Sequence, residues 1–174
     1  FKVGILGGGL QGTEAACLTR WAGWESVLVD ARPTPPASGL AHLFIHLAIK
    51  DFPSLDQVFD GCDLVVPACE DLPTLVLLSS WGRERDRPVA AFDLDAYRLS
   101  SDKSASKELF RRVGAPTPQA WPEATYPLIA KPVSSSGSRG VKLLDNETDF
   151  KAFFGQTVPP GWVVEEYCPG PSSS

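Results

Sequence analysis

The sequence predicts an α/β protein in two parts, a parallel-sheet half over residues 1–93 and an α+β half over residues 94–174. Three observations predict it. Short apolar runs alternate with helical segments through the first half. A glycine-rich turn joins the first apolar run to the first helical one. Near Phe92 the pattern changes to separate strands around a loop of serine and glycine. Strands separated by helices favour a parallel sheet with helices on both faces.

Each element follows in order. "KVGIL" predicts a buried strand, and "LQGTEAACLTRWAG" a helix closed by Gly23. "ESVLVD" is a second strand, and "ARPTPPASGLA", with three prolines, is a loop. "HLFIHL" is a third strand candidate, "PSLDQVF" a short helix and "CDLVVPA" a fourth strand. "LPTLVLLSSWGRER" is a helix and "PVAAF" a fifth strand. In the second half "SSDKSASKELFRRVGAPTP" is a helix that Ser101 or Asp102 can cap and that Gly114 and Pro116 end. "YPLIAKP" is a strand, and the loop "VSSSGSRG" leads into a further strand. "NETDFKAFFGQ" is a short helix and "GWVVEEYC" the last strand.

Composition bounds the function. Hydrophobic residues make up 43% of 174, enough for a packed core. A net charge of -5 argues against a nucleic-acid partner. No apolar run approaches the roughly 20 residues that span a bilayer, and no signal-peptide pattern precedes the glycine turn, so a cytoplasmic protein without a membrane partner is expected. Cys17, Cys62, Cys69 and Cys168 form no C-x-x-C pair, which fits reduced thiols rather than a structural zinc site. His42 and His46 share a strand face and read as structural or surface residues. Phe1 at the start and "PGPSSS" at the end read as cut, so the chain is expected to be an N-terminal fragment.

Gly7, Gly9 and Gly12 match the spacing G-x-G-x-x-G, and Asp30 follows 18 residues after Gly12. That is the outline of a dinucleotide-binding fingerprint. Free N–H groups and the dipole at a helix N-terminus favour an anion, so Gly8, Gly9 and Asp30 form a candidate nucleotide or anion site, which the resemblance described below would make a second one. The bland alternative is a tight strand-to-helix turn. A nicotinamide-dependent oxidoreductase is the function this motif alone would suggest.

Three segments of the second half carry further chemistry. Lys103 stands in the first turn of a helix, where the dipole disfavours a cation. Lys131 ends an apolar strand and is followed by Ser134 to Gly140, a loop that can offer N–H groups and hydroxyls to phosphate oxygens. Glu165 and Glu166 end the last strand, whose edge can present a carbonyl and an N–H to a purine. Lys103 to Lys131 is 28 residues, and Lys131 to Glu165 is 34.

In this order and spacing, the chain resembles the ATP-grasp superfamily along its whole length. The resemblance implies a Rossmann-like preATP-grasp domain over 1–93 and the first, incomplete ATP-grasp subdomain over 94–174, cut before the C-terminal subdomain. It implies ATP as cosubstrate, with Lys103 and Lys131 on the phosphates, Ser136, Gly137 and Ser138 in the closing loop, and Glu165, Glu166 and Cys168 at the adenine edge. Arg139, where the family's loop often differs, is a candidate for a phosphate or an intermediate, and Lys131 and Arg139 are the catalytic candidates. Within the superfamily, "GGGLQGTEAA", "ACEDL", "FDLDAYRLSSDKSASKELFRRVGAPTPQ" and "VVEEYCPG" resemble the ligases of pyrrolysine biosynthesis. That likeness implies (3R)-3-methyl-D-ornithine and L-lysine as substrates, joined through an acyl phosphate, with Leu10, Gln11 and Glu70 holding the lysine. Other amino-acid or carbamoyl ligases of the superfamily are the alternative. Mg²⁺ is implied too, but its carboxylates in this superfamily come from the final subdomain, so no metal ligand is expected here and the fragment alone is expected to be inactive. A homodimer fits the superfamily's habit, although no interface is legible.

Overall fold

A computed structural model describes residues 1–91, 93–134 and 138–170. The chain divides into two compact units, Phe1–Leu94 and Asp95–Ser174.

In the first unit, β1 (Lys2–Leu6), α1 (Leu10–Trp21), β2 (Glu25–Asp30), β3 (Leu43–His46), α2 (Phe52–Phe59), β4 (Leu64–Pro67) and α3 (Leu72–Glu84) follow in turn. The four strands are parallel in the order β3-β2-β1-β4. Both faces of this sheet are covered, as parallel sheets require. Val3, Ile5 and Leu28 pack with Ala16 of α1 and with Ala37, which lies in a 3-10 turn over Pro36–Gly39. On the other face Leu6, Val27, Val29 and Val65 pack with Leu55, Val58 and Phe59 of α2 and Leu78 and Trp81 of α3. Gly4 has no side chain because the Phe59 ring occupies its space; a Cβ there would lie 2.5 Å from Phe59 Cδ1. Asp51 and Asp71 cap α2 and α3 by accepting from Ser54 N and Thr74 N.

The expected fifth strand, "PVAAF", shrinks to one bridge between Val65 and Val89. Pro88 has no N–H to give the ladder, and a helix, α4 (Leu94–Ser101), begins soon after. Residue 92 lies outside the described residues. The sequence reading did not foresee α4, whose polar "LDAYRLSS" buries no residue.

The second unit continues with α5 (Lys103–Arg112), β5 (Leu128–Pro132), β6 (Lys142–Leu144), α6 (Glu147–Phe154) and β7 (Trp162–Glu166). Asp102 takes the cap of α5, accepting from Ser104 N and Ala105 N. Ser101, the other cap candidate, closes α4 instead by donating to Arg98 O. The strands form an antiparallel sheet in the order β6-β5-β7. Leu128, Ala130, Leu144 and Val164 line one face and bury Phe150 of α6 among Trp121, Phe154 and Trp162. Since strand side chains alternate, Ile129, Lys131, Val163 and Glu165 belong to the opposite face. That alternation decides where the charged residues gather.

Candidate functional site

Two strand-end regions carry the predicted residues. In the first unit, β1 and β4 are neighbours whose following helices diverge, which is the switch point where open α/β sheets bind ligands. The turn after β1 is tight. Gly7 sits at φ 107°, where only glycine is comfortable, and a Cβ on it would collide with Ala68 O. Gln11 at the start of α1 donates from Nε2 to Glu70 Oε1 at 3.2 Å, so two of the predicted substrate residues meet there. Leu10, the third, is exposed beside them in sequence.

Asp30 ends β2 and is buried. Its Oδ2 accepts the Gly8 N–H at 2.6 Å and a bond from Arg32 Nη2, and its Oδ1 accepts from Arg32 N and Nε. The Arg32 guanidinium, with these N–H groups, holds the Asp30 carboxyl down at about 2, against the opposing effect of burial. The chain's own carboxylate thus takes the Gly8 N–H of the glycine turn. Arg32 was not singled out from the sequence, although it lies two residues past the strand-end acid. Gly9 caps α1, and Thr13 N donates to its carbonyl.

The second region lies in the second unit. An open cleft of about 260 Å³ is lined by Lys103, Ser106, Lys107 and Phe110 of α5, with Lys131 of β5 and Glu165 of β7. Glu165 stands opposite Ile129 in the ladder, which sets its side chain diagonal to Lys131 on one sheet face. Glu165 is 4% exposed, and its carboxylate is shared. Oε2 accepts from Lys107 Nζ at 2.5 Å, and Oε1 pairs with Lys131 Nζ. Burial pushes the Glu165 carboxyl up, but the hydrogen bonds from Lys107 and Lys131 outweigh it and hold it below the ordinary range. Lys103 N donates to Val133 O at 3.1 Å, and Lys103 Nζ lies 3.5 Å from the same oxygen. Lys103, Lys107 and Lys131 thus line one cleft together with the Glu165 carboxylate.

Ser136 and Gly137 lie outside the described residues. Ser138 follows at φ 56°, an uncommon conformation for a residue with a side chain, and both it and Arg139 are exposed. The edge of β7 is partly used. Trp121 N donates to Val164 O and Glu166 N to Gln119 O, while Tyr167 N donates to Pro127 O on the β5 side. Cys168, next along, is exposed. Lys107 is the residue that the sequence reading missed. Its signal was the spacing Lys103–Lys107, one helical turn, which aligns both on one face of α5. Among the described residues no group of three or more His, Cys, Asp or Glu could hold a metal ion, and no helix is long and apolar enough to cross a membrane.

A family model described as an ATP-grasp domain matches residues 100–174, the stretch that carries α5, the loop and β7. Residues 100–174 carry an ATP-grasp domain. The 3-methyl-D-ornithine–L-lysine ligase of Methanosarcina acetivorans is 37% identical over 167 residues, covering 95% of this chain and 44% of the relative. The chain therefore spans less than half the length of that curated relative. The fold agrees as well. The crystal structure of an N5-carboxyaminoimidazole ribonucleotide synthetase in complex with ADP matches 97% of this chain and 47% of its own at a TM-score of 0.76 and 18% identity. The Staphylococcus aureus N5-carboxyaminoimidazole synthetase complexed with ADP matches 95% and 47% at 0.73 and 24%. The chain's four-stranded parallel sheet followed by a three-stranded antiparallel one is the α/β arrangement it shares with these two structures, as the resemblance implied.

Proposed function

We propose that this chain serves an ATP-dependent ligase that joins (3R)-3-methyl-D-ornithine to the ε-amine of L-lysine. The observation that carries the reading is the cleft that Lys103, Lys107 and Lys131 line together with Glu165, with Lys103 bonded to Val133 where the serine–glycine loop begins. The likeness to a ligase with those two substrates supports the choice of amino acids.

In the proposed reaction a carboxylate oxygen of the methylornithine attacks the γ-phosphorus of ATP, and ADP leaves. The lysine ε-amine then attacks the acyl phosphate carbon, loses a proton and expels phosphate. Lys103 and Lys131 stabilise the charge that moves with the phosphoryl group. The loop containing Ser136, Gly137, Ser138 and Arg139 covers the phosphates and keeps water from the acyl phosphate. The strand end at Glu166 and Cys168 receives the adenine. Gln11 and Glu70, with Leu10, hold L-lysine; the Glu70 carboxylate suits its ammonium group. Mg²⁺, when bound, neutralises charge between the phosphates. Gly8, Gly9 and Asp30 remain the candidate second anion site. The nicotinamide reading of the glycine turn loses ground because the Asp30 carboxylate is engaged by Gly8 and Arg32.

The test uses the full-length protein with ATP, Mg²⁺, L-lysine and D-ornithine as a simpler stand-in. Mass spectrometry should find the condensed product together with ADP, and Lys131→Ala should abolish it. ATP binding without product would keep the nucleotide site and overturn this pair of substrates.

A further inference from the structure

We infer that Lys107 is a positioning residue for the nucleotide cleft: it engages one oxygen of the Glu165 carboxylate so that the other fixes the ammonium of Lys131. This rests on the proposed role of that cleft.

The geometry divides the labour between two lysines on one acid. Lys107 reaches Glu165 from α5, and Lys131 reaches it from β5. The Lys107 side chain is 10% exposed and that of Lys131 27%. Lys107 therefore spends its charge inward, while Lys131 keeps part of its surface in the cleft. The charged groups that line the cleft with Glu165 are Lys103 and Lys107 of α5 and Lys131 of β5. The rest of the lining mixes Phe110, Pro118 and Val163 with the hydroxyls of Ser106 and Thr117, and Glu165 itself is 4% exposed. A carboxylate in such surroundings stays ionised only while it is paired. Without Lys107 it has one partner and the same burial, so it takes up a proton more readily. A protonated Glu165 no longer attracts Lys131 as an ion, and Lys131 loses its fixed direction.

The experiment follows the Glu165 side-chain carboxyl by ¹³C NMR in the full-length protein, assigned through Glu165→Gln, and measures MgATP affinity by calorimetry from pH 4.5 to 8. In the unsubstituted protein Glu165 should stay ionised throughout, and the affinity should not depend on its protonation. In Lys107→Gln its titration should move up by roughly one pH unit or more. The affinity should fall about tenfold or more, with a new dependence on pH, and Lys107→Arg should restore both. An unmoved Glu165 titration in Lys107→Gln overturns the inference. So does an affinity loss with no new pH dependence, which is what a purely structural role would give. If the unsubstituted protein binds no nucleotide, the proposed function falls, and the carboxyl titration still decides the role of Lys107. Should Lys107→Gln not fold, the ¹⁵N signals of the unsubstituted protein decide: Lys107 Nζ must show ammonium protons protected from exchange, and rapid exchange overturns the inference.

Discussion

The Gly8 N–H donates to Asp30 Oδ2 at 2.6 Å, joining the turn after β1 to the end of β2. A glycine turn with the spacing of a nucleotide-binding motif is thus closed by an acid from its own sheet. Arg32 covers the same carboxylate from the solvent side.

That arrangement makes stability fall in acid. The folded carboxyl of Asp30 titrates at about 2, below its ordinary 3.8. Its contribution is complete above the unfolded value and is lost as the pH falls through about 2. It amounts to about 1–2 kcal/mol, reduced because Arg32 is 57% exposed and screened. Denaturant unfolding from pH 6 down to pH 2 should show this slope, and Asp30→Asn should flatten it.

Gly8→Ala should destabilise the first unit where Gly9→Ala does not. A Cβ on Gly8 would lie 2.7 Å from Pro35 Cβ and 3.2 Å from Asp30 Oδ2, whereas one on Gly9 meets nothing nearer than Arg32 Nη2 at 3.7 Å. Overpacking of this kind costs about 1–3 kcal/mol. Paired denaturation curves of the two variants provide the comparison, and equal midpoints would refute it.

Asp102→Ala should cost about 1 kcal/mol, the usual loss for a helix cap. Two N–H groups, of Ser104 and Ala105, lose their acceptor together. Ser101→Ala should change thermal stability far less, because Ser101 only donates back to Arg98 O.

Lys131→Ala should lower MgATP affinity about tenfold or more in the full-length protein, since it removes a charge from the cleft and a partner from Glu165. Lys142→Ala, on an exposed position of β6, should leave affinity within about twofold. Calorimetry on both variants separates a local effect from a general loss of positive charge.

Much of this was legible in the sequence because alternation and punctuation are local signals. β1, β2, β4, β5 and β7 follow from apolar runs, and α1 and α5 from their glycine stops. The pairing of Lys131 with Glu165 was not legible, because two residues 34 apart become neighbours only through the register of β5 on β7. Lys107 was missed for a similar reason: its helical spacing from Lys103 is plain, but its partner lies 58 residues away. α4 gave no apolar stripe because it buries nothing. The fifth strand was overread because its apolar residues do not reveal that its described part makes a single bridge, Val89 to Val65.

The three-stranded sheet assigns its even positions, 128, 130, 144 and 164, to the core, and its odd positions, 129, 131, 163 and 165, to the opposite face. Scaffold and chemistry are therefore written on the same strands in separate registers. A lineage can rewrite Ile129 or Val163 to suit a different guest without renegotiating what Leu128 and Leu144 hold in place. Divergence among proteins that share this sheet should accumulate at 129 and 163, where change alters the guest and spares both the frame and the Lys131–Glu165 pair.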